Sequence, residues 1–221
     1  MPSIVSRILG IAALALAGWL VTASPGMAGT DTETPNGSRT APVVVNGDKA
    51  GGQKIQARIK PSGPTGQPPP ISYDPSALPA PVRALREKIL KAARSGEIEN
   101  LRKLIAANKV KLEVSFGGAD DPIAFWKEIS SDGTGRDILA DIIRVFESGY
   151  VRIGAGTKNE LYIWPYHFAY PLRKLTPRQE VELYLLIPGE YRAVMEEIGG
   201  YTGFRAAITP DGVWEFFIGG D

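Results

Sequence analysis

A sharp break in composition near residue 78 limits how much of this chain can form a packed core. From Gly29 to about Ala80, proline, glycine, serine and threonine dominate and aromatic residues are almost absent. Such a stretch cannot bury enough apolar surface to offset an ordering entropy of ~1–2 kcal/mol per residue. Its two short apolar runs, Val43 to Val45 and Ile55 to Ile59, lack partners and a sustained period, and Pro68-Pro69-Pro70 favours extended polyproline II geometry. We expect a disordered Pro/Gly-rich linker over residues 29–78, acting as a spacer, and a single folded domain over 79–221.

What precedes the linker reads as an address. Arg7 supplies a positive charge, and Ile8 to Val21 is an unbroken apolar run of 14 residues. That is short of the ~20 needed to span a bilayer as a helix. Small residues follow at cleavage spacing, Gly26 and Ala28 or Val21 and Ala23. This pattern predicts a secretory signal peptide over residues 1–28, a periplasmic or secreted product of a Gram-negative bacterium, and no membrane span after cleavage. The chain has no cysteine, which excludes a lipid anchor, a disulfide framework and a thiol nucleophile. A net charge of +1 gives no electrostatic case for nucleic acid as a partner.

Within the domain, Val82, Leu85, Ile89 and Ala93 recur at helical spacing behind Pro81. A second helix follows Ser95-Gly96, with Ile98, Leu101, Leu104 and Ile105 on one face. Ala92 to Ile105 resembles the helical hairpin of an ankyrin repeat over one unit, without the T-P-L-H turn or a second copy ~33 residues on. We read it as a generic helix pair. Nine basic residues against three acidic ones lie between Arg83 and Lys111, the composition of a solvated helix face. Val110 to Phe116 alternates as a short strand. Asp121-Pro122 and Thr134 with Asp137 predict two further capped helices.

Tyr150 to Ile153 and Glu160 to Trp164 form a predicted hairpin, with Val151, Ile153, Leu161 and Ile163 on one face and Tyr150, Arg152, Tyr162 and Trp164 on the other. Thr176-Pro177-Arg178-Gln179 opens a helix carrying Val181, Tyr184, Leu185 and the nearby Ile187, and the next carries Tyr191, Val194, Met195 and Ile198 on one face. Phe204 to Ile208 and Val213 to Ile218 flank a Pro210-Asp211-Gly212 turn, a second hairpin. Helices alternating with hairpins predict an α+β fold: a small antiparallel sheet built from two hairpins and covered on one side by several helices.

The chemistry this chain lacks narrows its function. One histidine excludes a multi-histidine zinc site, and no G-x-S-x-G or S-x-x-K motif occurs. No sequence pattern calls for a metal or another cofactor. What remains is a loop in which Trp164, Tyr166, His167, Phe168 and Tyr170 fall within seven residues. Aromatic side chains on a rigid loop can stack on sugars or clamp a peptide, and Arg152 and Arg173 nearby can pair with a carboxylate. The same density of aromatics equally describes a second, smaller core.

From GAGTKNELYIWPYHFAYPLRKLTPRQEVELY to the ending PDGVWEFFIGGD, the sequence resembles a family of uncharacterised exported bacterial proteins. These share a W-P-Y stretch, L-T-P-x-Q-E-V-E-L and a W-x-F-F-x-x-G-D ending. The resemblance covers most of residues 83–221 and implies a compartment and a shared fold, with no activity attached. The expectation is a non-catalytic envelope protein that binds a cell-wall fragment, such as peptidoglycan, or a protein partner through Trp164, Tyr166, His167, Tyr170, Arg152 and Arg173. The alternative is a cell-wall hydrolase working with carboxylates, Glu160 or Asp221, beside His167.

Overall fold

A computed structural model describes residues 67–220 of the chain. The expected signal peptide over 1–28 and most of the expected linker lie outside the described residues. The fold is α+β. Five strands, β1 (Ile71–Ser72), β2 (Tyr150–Ile153), β3 (Leu161–Trp164), β4 (Arg205–Ile208) and β5 (Trp214–Ile218), form one antiparallel sheet in that order. Six α-helices accompany them among the described residues: α1 (Ala80–Arg94), α2 (Arg102–Ala106), α3 (Pro122–Ile129), α4 (Arg136–Glu147), α5 (Pro177–Tyr184) and α6 (Tyr191–Ile198).

The period of two along each strand sorts side chains into cross-strand rows. One row runs through Ile71, Val151, Ile163, Ala207 and Phe216 across the whole sheet. On the opposite face Tyr150, Tyr162, Trp164, Trp214 and Phe217 meet the helices. There Val82 and Ile89 of α1, Trp126 of α3, and Ile142 and Phe146 of α4 complete the main core. Ring centroids lie 5.8 Å apart for Trp126 and Phe217, and 5.4 Å for Phe146 and Trp164, within the range of favourable aromatic packing.

The other face is covered too, which differs from the one-sided layer expected from the pattern. Val151, Leu161, Ile163, Phe216 and Ile218 pack beneath Tyr166 and Ala169 of the loop after β3. Both faces are therefore covered, and all four residues of β3 are buried. This is why the sheet reads as apolar and aromatic rather than as a clean apolar–polar alternation.

Three local readings change. The folded part begins before residue 79: Ile71 and Ser72 pair with Val151 and Tyr150, so the end of the presumed linker is an edge strand. Val110 to Phe116 does not form a full strand. Leu112 and Val114 are buried, and a single parallel bridge joins Glu113 to Phe216 at the far edge of the sheet. Thr134 does not cap α4. Gly135 occupies that position with a φ of 81°, and the Asp137 carboxylate instead accepts from the Ser131 amide and the Ser130 hydroxyl.

Other expectations hold in detail. Asp121 accepts from the amides of Ile123 and Ala124 ahead of Pro122. Thr176 and Gln179 form a reciprocal capping box on α5. The turn at Pro210 to Gly212 closes the β4–β5 hairpin, with the Thr209 amide bonded to the Val213 carbonyl at 2.9 Å. The basic stretch is largely engaged: Arg94 pairs with Glu147, Arg102 with Glu99 and Asp121, Lys109 with Asp211, and Lys111 with Asp120.

Candidate functional site

The loop after β3 starts at a cis Trp164–Pro165 peptide and winds through a 3-10 turn over Tyr166–Ala169. It is core. Trp164 and Tyr166 have no accessible surface, and His167 has none either. The Trp164 ring lies against Phe146 and Tyr150, inside the main core. Tyr166 stacks on His167 at 4.0 Å and meets Tyr170 edge-on. Tyr170 is half-buried, and its hydroxyl donates to the Pro69 carbonyl at 2.8 Å. A face already packed against protein is not free to stack on a sugar ring. The binding surface expected at Trp164, Tyr166 and His167 is therefore corrected to an interior one.

The two arginines lie on the surface with partners. Arg152 pairs with Glu160 at 2.8 Å across the β2–β3 hairpin, and Arg173 pairs with Glu196 of α6 at 3.3 Å. The structure does not gather the six expected residues into one site. Glu160 also accepts from the Gly156 amide, and these bonds, led by that from Arg152, hold its carboxyl below the usual range. A general acid at neutral pH needs the opposite shift. His167 uses Nε2 to donate to the Gln179 carbonyl at 3.0 Å, and no bond joins it to Glu160. Asp221 lies outside the described residues.

That bond assigns the proton to Nε2, because a carbonyl can only accept. Nδ1 is left as a buried lone pair without a partner. Burial of the ring pushes the His167 pKa down, only partly offset by the Gln179 carbonyl and by Glu182 and Glu180. Beside it, Glu182 of α5 accepts from Tyr166 Oη at 2.6 Å and Tyr73 Oη at 2.7 Å. Burial opposes the charge on Glu182, but these two hydroxyls and Arg178 outweigh it and leave the carboxyl below its ordinary value. The Arg178 guanidinium also sits 5.5 Å over the Tyr73 ring. This cluster fastens α5 and the N-terminal arm to the loop.

On α5 and α6 the apolar side chains divide between the interior and the surface. Leu183 of α5 and Met195 of α6 point inward with Leu172, Ile187 and Tyr201. Val181, Tyr184 and Leu185 point outward and are 62%, 46% and 66% exposed, and Val194 and Ile198 of α6 are 47% and 53% exposed. The two helices are tied by Arg192, which donates to Glu180 at 2.8 Å and to the Leu172 carbonyl at 3.0 Å. Glu190 and Glu197, four residues before and three after Val194, are exposed and make no ion pair among the described residues. Helical spacing places them on the margin of the Val194–Ile198 stripe. The sequence shows the α5 stripe without its direction, and the single face expected for α6 is corrected: Met195 turns inward while Val194 and Ile198 turn outward.

A shallow concavity of about 270 Å³ is lined by the segment from Lys111 to Ala119, with no converging set of charged groups. Among the described residues, no three His, Asp or Glu side chains converge on a metal-sized site, and no helix is long and apolar enough to cross a membrane. No family model matches the chain, and no curated protein or solved structure is significantly similar to it.

Proposed function

We propose that this chain is an exported, non-catalytic envelope protein that binds a protein partner through the outward stripes of α5 and α6. Export is supported by Arg7, the apolar run Ile8 to Val21 and the small residues that follow it. The same compartment is implied by the sequence resemblance of residues 83–221 to uncharacterised exported bacterial proteins. The observation that carries the binding reading is the exposure of Val181, Tyr184, Leu185, Val194 and Ile198 on two consecutive helices. Single exposed apolar residues are ordinary, but stripes at helical spacing on neighbouring helices mark an interaction face. Glu190 and Glu197 beside it favour a partner segment that carries cations around its apolar side chains. A sugar polymer is the weaker ligand here, because Trp164, Tyr166 and His167 are buried and Tyr184 is the one ring among the five outward side chains.

The test uses the full chain in its native host with a photo-crosslinking residue at Leu185, and Lys103 as the comparison position. The expected result is one envelope protein captured from position 185, lost on Val194→Asp and on Glu190→Lys with Glu197→Lys, and bound again when both proteins are purified. Sedimentation of the full chain with protein-free peptidoglycan, unaffected by Val194→Asp, would overturn the reading in favour of wall binding.

A further inference from the structure

We propose that the chain's own leader, the part of the expected linker ahead of Gln67, docks through Lys54 to Lys60 on the α5–α6 face and competes with the partner for it. The inference rests on the reading above only in using the same face. Lys54-Ile55-Gln56-Ala57-Arg58-Ile59-Lys60 lies outside the described residues and carries three cations and no acid. Ile55 and Ile59 have the spacing that shares one face of a helical turn. That is the chemistry the face selects: outward apolar side chains on α6, with Glu190 and Glu197 at their margin.

The path of the arm brings the segment into range. Tyr170 Oη holds the Pro69 carbonyl, and Tyr73 then meets Glu182 and Arg178 on α5, the residues flanking Val181 and its turn. Six residues, and so seven residue steps, separate Lys60 from Gln67, the first described residue. At about 3.4 Å per residue they span up to roughly 24 Å, twice the ~12 Å length of an eight-residue helix. A tether of this length holds the segment at an effective concentration on the order of millimolar, so a contact too weak to form between separate molecules is populated within one. Opposite charges at the rim add direction and salt dependence.

The absence of cysteine makes the test clean, since two introduced thiols are the only ones present. The full chain with Ile59→Cys and Val194→Cys is oxidised under mild conditions, and the rate of intramolecular disulfide formation is followed by gel mobility and mass. The expected result is a rate that falls about tenfold on Ile55→Asp, on Glu190→Lys with Glu197→Lys, and in high salt. A rate indifferent to all three overturns the proposal. Disulfides that form between chains and rise with protein concentration also overturn it, because they put a second copy on the face. Failure to capture any partner from Leu185, with the disulfide preference intact, supports docking by the leader and sinks only the partner reading.

Discussion

Lowering the pH from 8 to 5 titrates one imidazole in the unfolded chain, and the place of that imidazole in the fold predicts the result. His167 is the only histidine, so no other imidazole titrates in that window. Folded, its ring is inaccessible, Nε2 is committed to the Gln179 carbonyl and Nδ1 has no acceptor for a proton to serve. The folded pKa therefore lies below the unfolded value of about 6.5, and the unfolded chain binds the extra proton first. A depressed folded pKa means stability is complete above about pH 6.5 and falls as the pH drops below it. The loss is bounded by the slope of one proton, at most about 1.36 kcal/mol for each pH unit below 6.5. Glu180 and Glu182 do not obscure the window. Their folded values are lowered, by Arg192 for Glu180 and by Tyr166, Tyr73 and Arg178 against burial for Glu182, so their contributions vanish only further into acid. The assay is urea unfolding of the full chain at pH 8, 7, 6 and 5, followed by tryptophan fluorescence, which reports on buried Trp126, Trp164 and Trp214. His167→Gln should flatten the profile. A wild-type profile flat to within about 0.5 kcal/mol, or the same slope in His167→Gln, would refute the assignment.

Gly212→Ala should destabilise the fold by about 1–2 kcal/mol, because φ is +80° and a Cβ would lie 3.0 Å from both the Pro81 side chain and its carbonyl; an unchanged urea midpoint would show that the turn relaxes freely. Thr176→Ala removes half of the capping box on α5 and should cost about 1 kcal/mol, read from the same midpoint and from helical circular dichroism. Leu183→Ala should cost about 2–5 kcal/mol while Leu185→Gln stays within about 0.5 kcal/mol, the contrast expected of an inward and an outward residue two positions apart. Equal effects at 183 and 185 would mean the outward stripe is packed in solution.

The features legible in the sequence were those decided locally. The Asp121 and Thr176 caps, the two hairpins and the division of β2 and β3 into two faces follow from cap chemistry and a period of two. The α5 and α6 stripes show where local reading stops. Periodicity says that Val181, Tyr184 and Leu185 share a face; it does not say which face looks inward. That choice is made by distant groups, Leu172 and Tyr201 beneath Leu183 and Met195, and Arg192 across to Glu180. The aromatic loop fails for a related reason, since packing rings and ligand-stacking rings have the same composition. Thr134 lost the cap because Asp137 found closer donors at Ser130 and Ser131. β1 was missed because two residues beside a proline run carry no period at all.

That missed strand has an energetic consequence, since the boundary suggested by composition would cut through the fold. A chain beginning at Pro79 loses the pairing of Ile71 with Val151 and three long-range hydrogen bonds: Tyr73 to Glu182, Tyr150 to the Asp74 carbonyl, and Tyr170 to the Pro69 carbonyl. At about 1 kcal/mol net for each bond, and about 1 kcal/mol for the Tyr73–Tyr166 ring contact, the loss is roughly 4 kcal/mol before the removal of buried Leu78 is counted. The edge of the sheet is also uncovered, so β2 gains a row of unpaired backbone groups and a tendency to associate. Gly149 belongs to the same contact, for a Cβ there would sit 2.7 Å from the Tyr73 ring and 2.9 Å from Tyr166. Gly149→Ala in the full chain should therefore reproduce part of the truncation without removing any residue. If the chain from Pro79 and the full chain unfold at the same urea concentration, the arm contributes nothing to the fold. If the truncated chain is weaker and Gly149→Ala moves toward it, the folded domain starts near residue 69, with Tyr73 fastening its first strand to α5.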